Sequence, residues 1–210
     1  MQKLLKLFTF LLLLIMVVFA CNSKDDMGAT DEEVVFPAYV WPEGKKYYYG
    51  FDEKIYLDEV PNKVVISFDE KCLSEIEQYL RGNEQILNME FQMDRYFCIC
   101  ILTTVLNADT EGLMTNLKKQ AWAKSVNPIY VASGVELIVT EKIMMQLLNR
   151  NTLNAMSKKY GFEIKKDTGL YQLISVPVDV DPLEAANTFQ ESGMVVYCHP
   201  SFVAKITSWP

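Results

Sequence analysis

Three short segments of this 210-residue chain, all before residue 133, recur in the same order after it. The apolar residues at helical spacing in segment 73–80 return 80 positions later, in segment 153–160. NPIYVA at 127–132 returns 72 positions later as HPSFVA at 199–204. The third pair of segments is DEKIYL at 52–57 and VELIVT at 135–140. Because three correspondences share one order, they indicate a tandem duplication, and the chain must build one type of unit twice.

The first unit follows the order β-α-β-β-α-β. Runs rich in branched and aromatic residues predict strands, and apolar residues at helical spacing predict helices. Gly82 ends the first helix and Asp109 begins the second. The predicted strands are 62–68, 86–92, 96–103 and 125–131. This order is that of the ferredoxin-like arrangement, in which two helices cover one face of an antiparallel sheet.

The second unit repeats that order. Its predicted strands are 142–147, 162–166, 171–176 and 194–206. Gly161 ends its first helix, and Asp181 caps the second, where Pro182 needs no amide hydrogen and Glu184 can reach back to the cap. We therefore predict an α+β fold of two tandem ferredoxin-like repeats, spanning residues 46–133 and 134–210, after a disordered tether.

The first 20 residues have the features of a secretory signal. Two lysines precede an uncharged run over residues 7–20, which is shorter than the about 20 apolar residues that a membrane-spanning helix needs. A basic start, a short apolar stretch and a small residue before the cut are typical of cleaved export signals. VFAC at 18–21 resembles the bacterial lipobox, so we predict a signal peptide over 1–20 and lipidation of Cys21. The alternative is a buried apolar helix.

The residues after Cys21 predict a flexible tether over 21–45, because they are acidic and have no helical period. Lys24, Asp25 and Asp26 resemble the signal that sends Bacteroidetes lipoproteins to the outer face of the outer membrane. We therefore expect a surface-exposed protein held at the outer membrane by its lipid. A plain solvated linker is the alternative interpretation of this short match.

The charge balance disfavours nucleic acid as a partner. The chain has 20 Lys and Arg against 27 Asp and Glu, for a net charge of −7. Removal of residues 1–20 takes away two lysines and no acid, which leaves −9. Such a protein repels phosphate backbones, so we expect no nucleic-acid partner.

No residue pattern favours catalysis or a cofactor. His199, the single histidine, follows Cys198 on a predicted strand, where neighbouring side chains point to opposite faces, so the pair is not expected to act as nucleophile and base. Cys98 and Cys100 share a strand face, but their spacing is not the usual one for zinc. We expect buried thiols, no metal and no cofactor. A disulfide from Cys72 or Cys198 to Cys98 or Cys100 remains open.

The aromatic residues Tyr47, Tyr48, Tyr49 and Trp41 have two interpretations. They could form a sugar-binding platform, which would suit a surface lipoprotein. Such a run is more often an edge strand whose alternate rings pack inward.

The second unit resembles a known family. KKYGF at 158–162, YQLISV at 171–176, LEAANTFQESG at 183–193 and VYCHPSF at 196–202 resemble the fervidolysin-like N-terminal prodomain of Bacteroidetes subtilisin-like serine proteases. The likeness covers residues 134–206 and, through the internal repeat, extends back to Tyr47. In that family the prodomain sheet lies on the protease, helps it to fold, and places its C-terminal tail in the substrate cleft.

The resemblance implies binding rather than catalysis. No catalytic domain follows Pro210, so we expect a separate subtilisin-like protease as partner, inhibited or assisted in folding by this chain. The tail that would contact the protease consists of Lys205, Ile206, Thr207, Ser208, Trp209 and Pro210. The alternatives are a surface binding or adhesion lipoprotein with a protein or glycan ligand, and a truncated protease remnant.

Overall fold

A computed structural model of the chain describes residues 39–50, 52–149 and 157–205. These residues form a mixed α and β fold in which every paired strand is antiparallel. The strands are β1 Tyr47–Gly50, β2 Glu53–Tyr56, β3 Asp58–Phe68, β4 Ile86–Asp94, β5 Phe97–Thr104, β6 Ala123–Ala132, β7 Val135–Leu147, β8 Glu163–Asp167, β9 Gln172–Ser175 and β10 Val195–Lys205. The helices are α1 Leu73–Arg81, α2 Thr110–Lys118 and α3 Pro182–Glu191, with short 3₁₀ turns at Pro42–Gly44 and Glu70–Cys72. Residues 157–160 are also helical.

Eight strands form one sheet in the order β4-β5-β3-β6-β7-β9-β8, and β10 pairs with β7 as well. β1 and β2 form a separate hairpin. The strands predicted for both units therefore form, with the bounds shifted by a few residues at several ends. The β1–β2 hairpin was not assigned as such from the sequence.

The predicted boundary between the two repeats lies in a tight turn. Ala132 of β6 pairs with Val135 of β7, so only two residues connect these strands. Ser133 and Gly134 both have positive φ, 49° and 79°, which is typical of the two-residue turns that match the twist of a hairpin. The two halves are thus joined by continuous sheet at this point.

β7 is longer than the predicted strand 142–147, because it begins at Val135. Its first residues, 135–138, pair with β6, and residues 142–145 pair with β9. β10 runs along β7 from Glu136 to Leu147. The early part of β7 depends on pairing with a strand of the first half, which the local sequence pattern does not reveal.

Each half has a helix-covered apolar core. In the first half α1 and α2 pack on alternate residues of β3, β5 and β6, and in the second α3 packs on alternate residues of β7, β9 and β10. The helix ends follow their capping residues: Asp109 accepts from the Gly112 amide at 2.9 Å, and Asp181 from the Leu183 amide at 2.8 Å. Gly193 follows α3 with a φ of 71°, a conformation that favours glycine.

A further apolar cluster lies on the sheet face opposite α1 and α2. Its fully or almost fully buried members are Val65, Ile99, Ile101, Ile129 and Ile138, and Val203 of β10 packs against them. None of the described helices contributes to this cluster. The cluster joins residues of β5 with residues of β7 and β10, which are not neighbours of β5 in the sheet, so the sheet curls around them. Lys142 of β7 donates from Nζ to the Tyr96 carbonyl of the β4–β5 turn at 2.8 Å. This bond brings the turn of the first half against a strand of the second half.

Candidate functional site: an open sheet face and an aromatic cleft

The second half of the sheet has a partly accessible face opposite α3. In β7, β9 and β10, Ile143, Met145, Ile174 and Cys198 point into the core beneath α3. The alternate residues Met144, Leu173 and His199 pair across these three strands on the other face and are only partly buried. Tyr197 joins them, with its ring stacked on that of His199 at 6.0 Å between centroids. We call Lys142, Met144, Leu173, Tyr197 and His199 the open face.

An aromatic cleft of about 380 Å³ adjoins the open face along β10. It is lined by Tyr48, Tyr49 and Gly50 of β1, Met144 of β7, and Tyr197, Cys198, His199 and Phe202 of β10. The rings of Tyr48 and Phe202 meet edge to face at 4.8 Å, which joins the two walls of the cleft. None of these lining residues carries a fixed charge, so the cleft suits a neutral apolar group.

Three tyrosine hydroxyls hold β1 beside this cleft. Tyr39, Tyr47 and Tyr49 each donate to Oε1 of Glu191 at the end of α3, at 2.7, 2.8 and 2.7 Å. Partial burial alone would raise the pKa of Glu191, but these hydrogen bonds and the nearby Lys54 outweigh it, and the pKa of Glu191 is lowered. The pKa of the Tyr49 hydroxyl is raised by burial and by its bond to Glu191. The ionised carboxylate therefore acts as the anchor of the hairpin.

The start of the described chain is fixed to the same helix. Trp41 donates from Nε1 to Glu184 at 3.1 Å, so Glu184 binds the N-terminal segment as well as standing in the first turn of α3. Its pKa is raised, chiefly by burial. Tyr39 and Trp41 belong to the segment for which the sequence predicts a tether, and the structure has them packed against α3 and Tyr47.

The aromatic run is a packed strand rather than an exposed platform of rings. Tyr47 is fully buried and its ring meets those of Trp41, Tyr49 and Tyr56 edge to face. Lys54 lies over the Tyr47 ring with its Nζ 4.3 Å from the centroid. The interpretation as an edge strand with inward rings therefore describes this run, with Tyr48 turned towards the cleft.

A second cavity has its three lysines already paired with carboxylates. About 610 Å³ in volume, it lies between the β4–β5 turn and β7, β9 and β10. Lys124 is bonded to Asp69, Lys165 lies 2.5 Å from Glu163, and Lys142 is 3.4 Å from Glu141. The pKa of Asp69 is lowered, first by its bond with Lys124. Each of these lysines is thus paired with a carboxylate of its own half, while the guanidinium of Arg95, which also lines the cavity, lies over the Tyr96 ring, 4.5 Å from its centroid.

The four cysteines of the described residues are free thiols in two separate clusters. Cys72, Cys98 and Cys100 pack in or against the first core, and Cys198 lies in the second. Burial raises the pKa of Cys100 to about 12 and raises that of Cys198 further. Cys198 points into the core while His199 stacks on Tyr197, as strand alternation predicts. Within the described residues, no three His, Cys, Asp or Glu side chains are grouped to hold a metal ion.

Most of the remaining site residues predicted from the sequence lie outside the described residues: Cys21, Lys24, Asp25, Asp26, Ile206, Thr207, Ser208, Trp209 and Pro210. Lys205, the first residue of the predicted tail, still belongs to β10 and pairs with Glu136. Within residues 39–50, 52–149 and 157–205, no helix is long and apolar enough to cross a membrane.

The open face and the cleft were not predicted from the sequence. Strand geometry alone assigns alternate residues of β7 and β9 to two faces, but the sequence does not tell which of these faces the helix covers. Comparison with known proteins adds no further guide, since no family model and no curated protein matches this chain.

Proposed function

We propose that this chain is a non-catalytic, lipid-anchored module that binds a subtilisin-like serine protease, as its inhibitor or as an aid to its folding. The observation that carries the proposal is the open face, on which the side chains of Met144, Leu173 and Tyr197 are only partly buried on strands backed by α3. A sheet surface of this kind is what the resembled prodomains lay on the protease. Apolar side chains that remain partly accessible and are grouped on one face favour a protein partner.

The strand order supports a prodomain-like architecture. Numbered along the chain, the strands of the first half stand in the order fourth, first, third, second: β6-β3-β5-β4. Those of the second half stand in the same order: β10-β7-β9-β8, with β10 on the free edge of β7. We infer that each half is a ferredoxin-like unit. In the first unit, the sheet face opposite the helices is buried in the cluster around Ile138. The corresponding face of the second unit stays partly accessible, so we assign the binding surface to the second unit.

The protease test compares inhibition by the mature chain with inhibition by a variant of the open face. Leu173→Asp places a charge among the apolar residues of that face, and we expect inhibition of a secreted subtilisin-like protease to weaken about 10- to 100-fold. Leu170→Asp is the matched control, because Leu170 is 74% exposed in the turn before β9. Equal inhibition by wild type and Leu173→Asp would exclude the open face.

The tail is tested separately by a chain that ends at Lys205. This cut keeps all of β10, whose last pair is Lys205 with Glu136, and removes Ile206–Pro210. An inhibitor whose tail enters the substrate cleft loses inhibition on this cut, whereas a folding aid keeps its effect on refolding of the protease. If a folded mature chain neither inhibits nor assists any such protease, a surface binding or adhesion protein becomes the leading function.

The proposed anchor has its own test. Cys21→Ser removes the sulfur that would carry the lipid, so we expect loss of palmitate labelling and release from the membrane fraction. Replacement of Lys24, Asp25 and Asp26 by alanine should keep the lipid but reduce access of added protease to the protein on intact cells. Membrane retention of Cys21→Ser without any label would contradict lipidation.

A further inference from the structure

We propose that the aromatic cleft receives one neutral apolar side chain, aromatic or aliphatic, from the protein partner that docks on the open face. This inference rests on the proposed function and adds the contact that anchors the partner. Met144, Tyr197 and His199 belong both to the open face and to the lining of the cleft. A partner that covers the face therefore lies directly over the opening.

The lining decides the chemistry of the inserted group. Tyr48, Tyr49, Tyr197, His199 and Phe202 surround the space with rings, and none of the described residues that line it is a lysine, arginine, aspartate or glutamate. A charged group would enter without a partner of opposite charge, at the cost of its hydration. A volume of about 380 Å³ is at the small end for a ligand site, which suits one side chain rather than a large cofactor.

The walls are held in place from outside the cleft, so the space is preformed. Tyr49 is bonded through its hydroxyl to Glu191, and Tyr48 rests on the ring of Phe202. Gly50 packs closely on β2, because an added Cβ would lie 2.4 Å from Cδ1 of Ile55 and would displace the end of that side chain. A preformed cavity lowers the entropy lost on binding, which is the property expected of an anchor site.

The single histidine allows binding in this cleft to be measured directly by NMR. His199 is the only histidine of the chain, so its ring protons give one unambiguous NMR signal from the cleft wall. The sample is the mature chain from Cys21 to Pro210 with Cys21→Ser, titrated with N-acetyl-phenylalaninamide, N-acetyl-leucinamide or N-acetyl-lysinamide. We expect a saturable shift with the two neutral probes and a weaker one with the lysine probe. No saturable shift with a neutral probe, or a stronger response to lysine, would overturn the inference.

Two variants connect the cleft to the partner. Tyr48→Ala removes one wall, and we expect it to abolish the probe-induced shift and to weaken protease inhibition about tenfold. Tyr56→Ala is the matched control, since Tyr56 is exposed on β2 of the same hairpin and does not line the cleft. Circular dichroism and thermal unfolding of both variants check that the hairpin remains folded.

The outcomes separate this inference from the proposed function. If the wild type inhibits the protease and Tyr48→Ala inhibits equally well, the cleft inference fails and the protease proposal stands. If the wild type inhibits no protease but the His199 signal still responds to the neutral probes, the protease proposal fails. In that case the cleft is a site for an apolar group from another source, and the partner named here is wrong.

Discussion

The buried side chain of Asn187 in α3 donates from Nδ2 to the main-chain carbonyl of Tyr47 at 2.9 Å. The two residues are 140 positions apart, and this bond joins the N-terminal hairpin to a helix of the second half. Asn187 is fully buried, and its Oδ1 has no hydrogen-bond partner within the described residues. A buried polar side chain with one long-range bond is a sensitive point of the fold.

Asn187→Ala should therefore destabilise the protein. The Tyr47 carbonyl would lose its donor inside the protein, and we expect the free energy of unfolding to fall by about 1–3 kcal/mol. Urea unfolding followed by circular dichroism measures this change. Asn116→Ala, at an exposed position of α2, controls for helix propensity and should change stability by about 0.5 kcal/mol or less. Equal effects of the two substitutions would contradict the importance of the bond.

The tyrosine bonds to Glu191 predict a dependence of stability on pH. The pKa of Glu191 is lower in the folded chain than in the unfolded one, so its ionised form stabilises the fold above the ordinary glutamate pKa of about 4.3. This contribution is lost as the pH falls through the lowered pKa. We expect the difference in Tm between wild type and Glu191→Gln to be largest near neutral pH and to shrink on acidification below about pH 4.

Thermal unfolding between pH 3 and 7 measures this difference. Tyr49→Phe removes one of the three hydroxyl donors to Glu191, so its curve should lie between those of wild type and Glu191→Gln. Parallel curves for all three proteins would show that Glu191 does not contribute in this way.

The buried thiols predict selective chemical protection. Only a thiolate reacts readily with disulfide reagents, and both Cys100 and Cys198 are buried with raised pKa values. We expect neither to react at pH 8 in the native Cys21→Ser protein, and Cys72, Cys98, Cys100 and Cys198 all to react after unfolding without reductant. Alkylation and peptide mass spectrometry identify the modified residues. Fewer than four reactive thiols after unfolding would indicate a disulfide.

The cluster around Ile138 predicts that the two halves depend on one packing interface. Ile138 of β7 is fully buried with Val65, Ile99 and Ile129 of the first half. Ile138→Ala should lower the free energy of unfolding by about 2–5 kcal/mol, since it leaves a cavity between the halves. Leu87→Ala, at a 71% exposed position of β4, serves as control. A loss below about 1 kcal/mol for Ile138→Ala would contradict a shared core.

The strands and helices within each half could be predicted because their signals are local. Branched residues over 62–68, helical spacing over 73–80, and the capping residues Asp109 and Asp181 act within a few positions of themselves. The structure confirms a mixed α and β fold with antiparallel sheet. The tandem prodomain interpretation stays a proposal, which the strand order of each half supports.

The candidate site was harder to predict because its contacts are distant in sequence. Glu184 was expected to reach back to its own helix start, but it accepts from Trp41, 143 positions earlier. DEKIYL at 52–57 matches VELIVT at 135–140, yet the first contains β2, paired with β1, and the second begins the long strand β7. Two similar segments therefore form different strand pairs, because each meets different neighbouring strands in the folded chain.

The sequence by itself determined the order of strands and helices from β3 onwards, the caps of the helices, and which residues are apolar enough for the core. Those properties depend on backbone preferences and on side-chain periodicity along a few residues. Only the tertiary structure decided that the hairpin rests on α3, that the sheet curls around Ile138, and that one face of β7, β9 and β10 stays open. These features depend on contacts between segments tens to more than a hundred residues apart, whose free energy arises only when the whole chain has folded.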